Sequence, residues 1–192
     1  RILGDRTPRV TAALMLDEAA LDYPPPNFDL ALSAGTLDSV NDLPGALILM
    51  RRALRPGGLF LASMVGAGSL PALRLPMSAA DRHETTSVAR FHPLVDVRAT
   101  GDLLGRAGFT LHVADTDTVT ATYRGFDRLI GDLRAAAITN MLTTRRPVTR
   151  TSYTAIKDAF AAIVERDGRF TESFALLFLT GWAPEASDAK QF

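Results

Sequence analysis

Residues 28–66 read FDLALSAGTLDSVNDLPGALILMRRALRPGGLFLASMVG, and this stretch decides the fold. It opens with Phe28–Ser33, a compact apolar run typical of a strand buried on both faces of a parallel sheet. Asn41 and Asp42 then offer a helix N-cap, and apolar residues recur at helical spacing up to a Pro-Gly-Gly stop. The next apolar run is Leu59–Met64. Because short connections join them, this strand, helix and strand predict a right-handed βαβ unit in a parallel sheet.

The rest of the chain extends this unit on both sides. Val10–Leu16 predicts a short strand ahead of it, followed by a turn at three consecutive prolines. No linker or repeat divides the sequence, so we expect residues 1–192 to form one partial domain with insertions at about 66–96 and 124–168. The order of elements predicts an α/β fold with helices on both faces of the sheet. Further helices are predicted near residues 69–75, 96–107, 126–140 and 153–164, and further strands over 109–114, 119–123 and 174–180.

The composition narrows the classes of partner. Lys+Arg and Asp+Glu both number 21, so no net charge draws the chain to nucleic acid or to an anionic membrane. No apolar run reaches the length of a membrane span. The chain has no cysteine, which rules out disulfides and thiolate metal sites and is typical of a reducing compartment. We therefore expect a cytoplasmic protein that binds neither nucleic acid nor membrane, and we expect no metal.

Three segments are candidates for a ligand site. Ligands of open parallel sheets bind beyond the carboxyl ends of the strands. This rule indicates Asp17-Glu18, Ser33–Asp38 and Val65–Gly68, each of which follows a predicted strand. Glycines in the second and third segments would let the backbone approach a ligand closely. The carboxylate of Asp17 can accept a hydrogen bond from an adenine amino group, and a solvated acidic turn is the alternative.

Several motifs resemble one protein family. Residues 28–66 closely resemble the segment between the fourth and fifth strands of class I S-adenosylmethionine (SAM) methyltransferases, where the ALRPGG turn is frequent. VNDLPGAL is similar to the branch that holds the carrier-protein methyltransferase of biotin synthesis and the mitochondrial methyltransferase-like assembly factor of respiratory complex I. DLLGRAGF, VADTDTVTATY, DLRAAAITN and FALLFLTGW resemble the assembly factor more closely. The resemblance covers residues 17–182 and implies a Rossmann-like, mostly parallel sheet whose last strand is antiparallel.

The resemblance also implies a cofactor, SAM, and residues that bind it. The acidic residue matching Asp17 lies by the adenine of SAM in that family, and we assign the adjacent Glu18 to the same site. Four further residues match positions that line the methionine end of the cofactor, partly through the backbone. They are Ser33, Ala34, Gly35 and Leu37.

Two features depart from the family pattern. The family usually carries a Gly-rich GxGxG turn after its first strand, and this stretch lacks one; since it starts at Arg1 rather than Met, we expect an N-terminal portion outside it. The branch commonly shows His-Trp where Asp38-Ser39 stand here. Asp38 is therefore the candidate catalytic base, with a second N-terminal cap of the following helix as the alternative. His83 and His92 lie in the first insertion, where they either are solvated or face the cleft.

These features together predict an enzyme. The first interpretation is a SAM-dependent methyltransferase that transfers a methyl group to a small-molecule, carrier-bound or protein acceptor. The resemblance also implies an alternative, a methyltransferase-fold assembly factor or arginine hydroxylase-like protein acting on a respiratory complex I subunit. A degenerate fold without catalysis is the third interpretation. A Gly-rich turn upstream of Arg1 would favour cofactor binding over a scaffold role.

Overall fold

A computed structural model of the chain describes residues 28–81, 90–136, 138, 142, 148–165 and 167–185. These residues contain four strands and five α-helices, and a single 3-10 turn, Leu37–Ser39, lies between the first strand and the first helix. In chain order the elements are β1 (Phe28–Ala34), α1 (Leu43–Ala53), β2 (Leu54–Val65), α2 (Pro71–Asp81), α3 (Val97–Arg106), β3 (Thr110–Arg124), α4 (Phe126–Ala135), α5 (Arg150–Ala161) and β4 (Arg169–Trp182).

The four described strands form one sheet of order β1-β2-β4-β3. β1 and β2 pair in parallel, whereas β4 runs antiparallel to both of its neighbours, β2 and β3. β1, β2 and β3 therefore point in the same direction, and only β4 among the described strands points the other way. This arrangement confirms the predicted α/β fold, Rossmann-like with an antiparallel last strand.

The predicted βαβ unit is present, and its local chemistry explains its bounds. Asp42 rather than Asn41 caps α1, because its Oδ1 accepts a hydrogen bond from the Gly45 N–H at 2.9 Å. The Pro-Gly-Gly segment follows the helix as predicted, but it does not separate α1 from β2. Gly57 has a φ of +70°, and its N–H donates to the Ala183 carbonyl at 3.0 Å. The segment is therefore the irregular first part of β2, which starts before its apolar run.

Other elements differ in length from their predicted bounds. α2 runs on through an interior proline, and α4 ends earlier than predicted, where the Ile138 N–H donates back to the Leu133 carbonyl at 2.9 Å. The strands predicted over 109–114 and 119–123 are one continuous strand, β3, which pairs with β4 through its polar middle. Backbone pairing continues there although the side chains are exposed. The strand predicted at Val10–Leu16 lies outside the described residues.

The main core lies on one face of the sheet. Phe60 and Leu179 are among its fully buried residues, and the Phe60 ring stacks on Phe109 with 5.0 Å between centroids. Helices α1 and α3 supply the other side of this core. Leu30 and Leu32 point to the opposite face and are 51% and 70% exposed. The prediction that the strand at Phe28–Ser33 is buried on both faces is therefore wrong for the described residues. This strand, β1, is an edge strand there, and its second face is uncovered.

A second, smaller core lies beyond the carboxyl end of β2. β2 ends opposite Leu176 of β4, and β3 and β4 continue past it as a two-stranded ribbon in which 118–124 pairs with 169–175. We call this ribbon, together with α2, α4 and α5, the cap. Both predicted insertions contribute to the cap, while the assignment of 1–192 to one partial domain stays a prediction. The hydrophobic cluster of this second core consists of the buried residues Leu70, Leu73, Leu129, Leu133, Phe160 and Phe170.

A buried carboxylate fastens α2 to the ribbon within the cap. Glu172 of β4 is fully buried, and its two carboxylate oxygens accept hydrogen bonds from the backbone N–H groups of Ala72 and Leu73 at 3.1 and 2.9 Å. The N–H of Ser173 donates to the same carboxylate at 3.0 Å. Ala72 and Leu73 lie in the first turn of α2, where N–H groups have no acceptor within the helix. Glu172 therefore supplies, from a distant strand, the acceptors for the unpaired N–H groups at the N-terminus of α2.

Replacing Glu172 by alanine should lower the free energy of unfolding by about 1–3 kcal/mol, because two buried N–H groups lose their acceptor. Glu172→Gln should cost less, since its amide oxygen still accepts a hydrogen bond. Urea denaturation measures both changes. Glu165→Ala removes an exposed carboxylate and is the control, with an expected change within about 0.5 kcal/mol. If Glu172→Ala is as stable as this control, the capping role is wrong.

A buried leucine and an exposed leucine, on opposite faces of the sheet, test which face is covered by the core. Leu179 is 1% exposed, so Leu179→Ala should destabilise this chain by about 2–5 kcal/mol. Leu32→Ala removes the same atoms from a side chain that is 70% exposed, and should change stability by no more than about 0.5 kcal/mol. Thermal or urea unfolding of residues 1–192 gives both values. Equal losses would mean that the second face of β1 is covered.

Candidate functional site at the carboxyl edge of the sheet

The turn after β1 and the loop after β2 lie at the same edge of the sheet. The Gly35 N–H donates to the Ser63 carbonyl of β2 at 2.8 Å, which ties the turn, residues 35–39, to the neighbouring strand. The loop after β2, residues 66–70, begins at this edge because the two strands are parallel. Two of the three segments that the sequence predicts to form the site are therefore neighbours.

Hydroxyl groups hold the turn after β1 in shape. Ser33 Oγ lies 2.9 Å from Thr36 Oγ1, and the Ser39 hydroxyl donates to the Thr36 carbonyl at 2.7 Å. Leu37 is 1% exposed and belongs to the main core. Gly35 has a φ of +68°, and among the described residues no atom lies within 4 Å of a Cβ placed on it. The side of the turn that Gly35 faces is therefore open, and a ligand can approach the backbone there.

The predicted cofactor-binding residues differ in their accessibility. Ala34 and Gly35 are exposed at the edge, whereas the side chains of Ser33 and Leu37 are buried in the protein. A contact from the last two to a cofactor would run through their backbone. None of these roles is tested by the structure, and all stay predictions. Two further predicted residues, Asp17 and Glu18, lie outside the described residues.

Backbone hydrogen bonds fix the loop after β2 on both sides. The Gly66 N–H donates to a carbonyl of β4 at 2.8 Å, and the Ala67 N–H donates to the Val95 carbonyl at 2.9 Å. The second bond brings residues 90–96, which precede α3, to the same edge of the sheet. A Cβ on Gly66 would lie 2.6 Å from the side chain of Leu177. Packing against Leu177 therefore requires this glycine, and the expectation that it also lets a ligand approach stays a prediction.

Residues 90–96 are anchored at three points. The Arg74 guanidinium of α2 lies over the ring of Phe91, 4.4 Å from its centroid. The bond to the loop after β2 is the second anchor. Asp96 is the third, because its side chain accepts a hydrogen bond from the backbone in the first turn of α3 at 2.8 Å. His92 lies between these anchors, so its backbone is held near the carboxyl edge.

Asp38 lies in the 3-10 turn with one carboxylate oxygen buried and unpaired. Its Oδ1 is one of two buried side-chain polar atoms in the described part of the chain that have no hydrogen-bond partner. Asp42 caps α1, so the alternative role of Asp38 as a second cap is not seen. Burial raises the pKa of the Asp38 carboxyl, and its own backbone N–H and the charge of His92 oppose that rise. The other histidine of this insertion, His83, lies outside the described residues.

Two kinds of feature are absent from the described ranges of the chain. There, no group of three or more His, Asp or Glu side chains is arranged so that it could hold a metal ion. Within the same ranges, no helix has the length and apolar character needed to cross a membrane.

Comparisons with known proteins agree with this geometry. Residues 5–62 match the family model of a methyltransferase domain. The fold is similar to crystal structures of a Bacillus halodurans protein assigned as a methyltransferase and of the YcgJ protein of Bacillus subtilis. Each similarity has a TM-score of 0.54 and covers 88% of this chain and 69% of the other, at 13% and 12% identity.

The chain is a class I methyltransferase-fold protein. It is 33% identical over 183 residues to the mitochondrial arginine-hydroxylase NDUFAF5 of Danio rerio, covering 92% of this chain and 56% of that protein. It is 32% identical over 170 residues to the malonyl-[acyl-carrier protein] O-methyltransferase of Xylella fastidiosa, covering 88% of this chain and 56% of that protein. The chain spans little more than half the length of these relatives. The predicted family resemblance is confirmed.

Sequence reasoning missed two residues that shape the site of this methyltransferase-fold chain. Ser69 is fully buried, and its hydroxyl donates to the Gly66 carbonyl at 2.8 Å and accepts from the Ala175 N–H at 2.9 Å. Glu172 is the second. A two-residue period puts Glu172 on the same face as the buried Phe170, and a carboxylate at a buried strand position needs donors. The alternation of faces along β4 was therefore the sequence signal that could have identified Glu172. No sequence signal indicated Ser69.

Asp38→Asn should flatten the dependence of stability on pH. Burial raises the pKa of the Asp38 carboxyl from its ordinary 3.8, so folding takes up a proton in the window just above that value. The free energy of unfolding of the wild type therefore falls as the pH rises through the pKa of the folded state. The asparagine variant cannot titrate, and its stability relative to wild type should increase as the pH rises from 3.8 through the raised pKa of the folded state.

Urea unfolding at several pH values measures this difference. Asp42→Asn is the control, because asparagine is an equally good N-cap for α1. A difference between wild type and Asp38→Asn that is constant over the whole range would contradict the burial of this carboxylate.

Proposed function

We propose that this chain is part of a SAM-dependent methyltransferase that transfers a methyl group from SAM to a small-molecule, carrier-bound or protein acceptor. One observation carries the proposal: the turn after β1 and the loop after β2 meet at the carboxyl edge of two parallel strands, beside open space at Gly35. That edge is where open parallel sheets bind ligands. The cap is built on the same edge, which favours it as the wall on the acceptor side.

The residues at this edge fit such a cofactor. Ala34 and Gly35 expose their backbone, and the hydroxyl pair of Ser33 and Thr36 holds the turn in shape without a ligand. Bound SAM supplies a methyl group on an activated sulfonium, so the main task of the protein is to orient a nucleophile. Asp38, with its unpaired oxygen, can accept a proton or a hydrogen bond from that nucleophile. For the adenine end, the candidates remain Asp17 and Glu18.

A second function is favoured by the similarity to the Danio rerio protein, which is named an arginine-hydroxylase. In this alternative, the chain belongs to an assembly factor that modifies an arginine of a respiratory complex I subunit. The similarity to the Xylella fastidiosa enzyme instead favours a carrier-bound acyl group as acceptor. Mass spectrometry of candidate acceptors separates the two: incubation with SAM should add a methyl group to a methyl acceptor, whereas incubation with SAM, molecular oxygen and a two-electron reductant should add an oxygen atom to an arginine that is hydroxylated. A chain without catalysis would leave both unchanged.

For localisation we propose a reducing compartment, the cytoplasm in the simplest case. The support is the absence of cysteine from all 192 residues. The arginine-hydroxylase relative is described as mitochondrial, which makes the organelle the competing location. Fractionation of cells that express the whole protein decides between them.

Gly35→Ala should weaken the binding of SAM by about tenfold or more, because the new Cβ enters the open side of the turn. The matched control is Gly125→Ala. Both glycines have a positive φ and no atom within 4 Å of a Cβ, so alanine should cost each about 1–2 kcal/mol of stability. Only the Gly35 variant should lose affinity.

Isothermal titration of the whole protein with SAM and with its demethylated product measures the affinities. Absence of heat with wild-type protein would reject cofactor binding. An equal loss of affinity in both glycine variants would reject the role of Gly35 and attribute the effect to backbone strain.

A further inference from the structure

Asp38 is the polar group of the carboxyl edge whose hydrogen bonding the protein leaves incomplete. Its Oδ1 is buried without a donor, whereas the hydroxyls of Ser33 and Ser39 in the same turn are already bonded to Thr36. The Ser39 N–H donates to the Thr36 carbonyl as well. A buried carboxylate oxygen without a donor destabilises a fold, so a group that persists in this state indicates a ligand that supplies the donor.

We propose that Asp38 recognises the methyl acceptor, and that this acceptor presents a positively charged N–H donor of the amine or guanidinium class rather than a carboxylate. The inference rests on the proposed function, because it concerns the acceptor of that reaction. An N–H cation gives the unpaired oxygen a charge-assisted hydrogen bond, which is stronger than one between neutral groups. A carboxylate has no donor to offer and would meet a second negative charge.

The charges on the neighbouring elements agree with this choice. Asp42 on α1 and Asp96 at the start of α3 are also acidic, and each is bonded to the first turn of its helix. The basic residues of α1 lie in its last turn, at the end of the helix away from Asp38. On residues 90–96, the charge of His92 acts on Asp38 and the side chain of Arg90 is buried. Arg74 of α2 is engaged with the ring of Phe91. Asp38 is therefore the acidic group of this described edge whose charge is left to pair with a bound cation.

The proposal has a consequence for pH. Burial disfavours the ionised form of Asp38 and raises its pKa, while a bound cation favours the ionised form. Binding of the cation and loss of the proton are therefore linked. The affinity for the cation should fall as the pH is lowered through the pKa of Asp38.

Two small probes of opposite charge, methylguanidinium and acetate, test the proposal on the whole protein saturated with the demethylated cofactor. The chemical shift of the Asp38 carboxyl carbon, followed by NMR, reports binding at this residue. Methylguanidinium should shift this signal in wild-type protein, and acetate should not. Asp38→Asn should weaken binding of methylguanidinium by about tenfold or more, as judged from backbone amide shifts of the turn. Asp42→Asn removes the same charge four residues away and should leave that affinity unchanged.

The outcomes separate this inference from the proposed function. Binding of acetate in preference to methylguanidinium, or equal binding of methylguanidinium by wild type and Asp38→Asn, would overturn the inference. If the demethylated cofactor binds and methylguanidinium does not, the inference fails while the proposed function stands. If the demethylated cofactor fails to bind but methylguanidinium still binds through Asp38, the proposed function fails and the recognition of a cation by Asp38 is supported.

Discussion

The parallel pairing of β1 with β2 is the constraint on which the rest of the structure depends. Parallel neighbours need a crossover, which α1 supplies, and their carboxyl ends then lie side by side. β3 points the same way although it pairs only with the antiparallel β4. Every insertion that follows β1, β2 or β3 must therefore start from one edge. The cap helices α2, α4 and α5 come after β2 and β3, so strand direction makes the cap start from the same edge as the candidate site.

Two carboxylates at this end of the molecule, those of Glu172 and Asp38, differ in how fully the protein satisfies their hydrogen bonding. Glu172 accepts three backbone N–H bonds, and each of them joins α2 to β4 or stiffens β4. Such a group is satisfied without a ligand and contributes to stability. Asp38 is partly buried and keeps one oxygen unpaired, which weakens the fold without any structural return. The contrast distinguishes a structural carboxylate from one kept for binding, although both have the same chemistry.

Side-chain periodicity predicted the elements whose stability comes from packing and missed those that depend on distant backbone bonds. The βαβ unit and α3 follow from apolar spacing and from acidic N-caps, which are local signals. The early start of β2 depends on a bond from Gly57 to Ala183, and the capping of α2 depends on a residue about a hundred positions away. For the site, strand order predicted that two of the segments meet, but not that Asp38 would lack a partner. That fact depends on how every nearby hydroxyl is already bonded.

Under the proposed function, the turn after β1 separates two tasks that the same few residues could have shared: holding the cofactor and choosing the acceptor. Its backbone, exposed at Ala34 and Gly35, offers groups that every sequence carries, so holding a common cofactor there places little demand on side chains. The side chain of Asp38 adds a charge that the backbone does not have. A change at Asp38 should therefore alter which acceptor is bound while leaving the cofactor contacts in place. For this reason, a fold that keeps the same edge can serve acceptors of different charge.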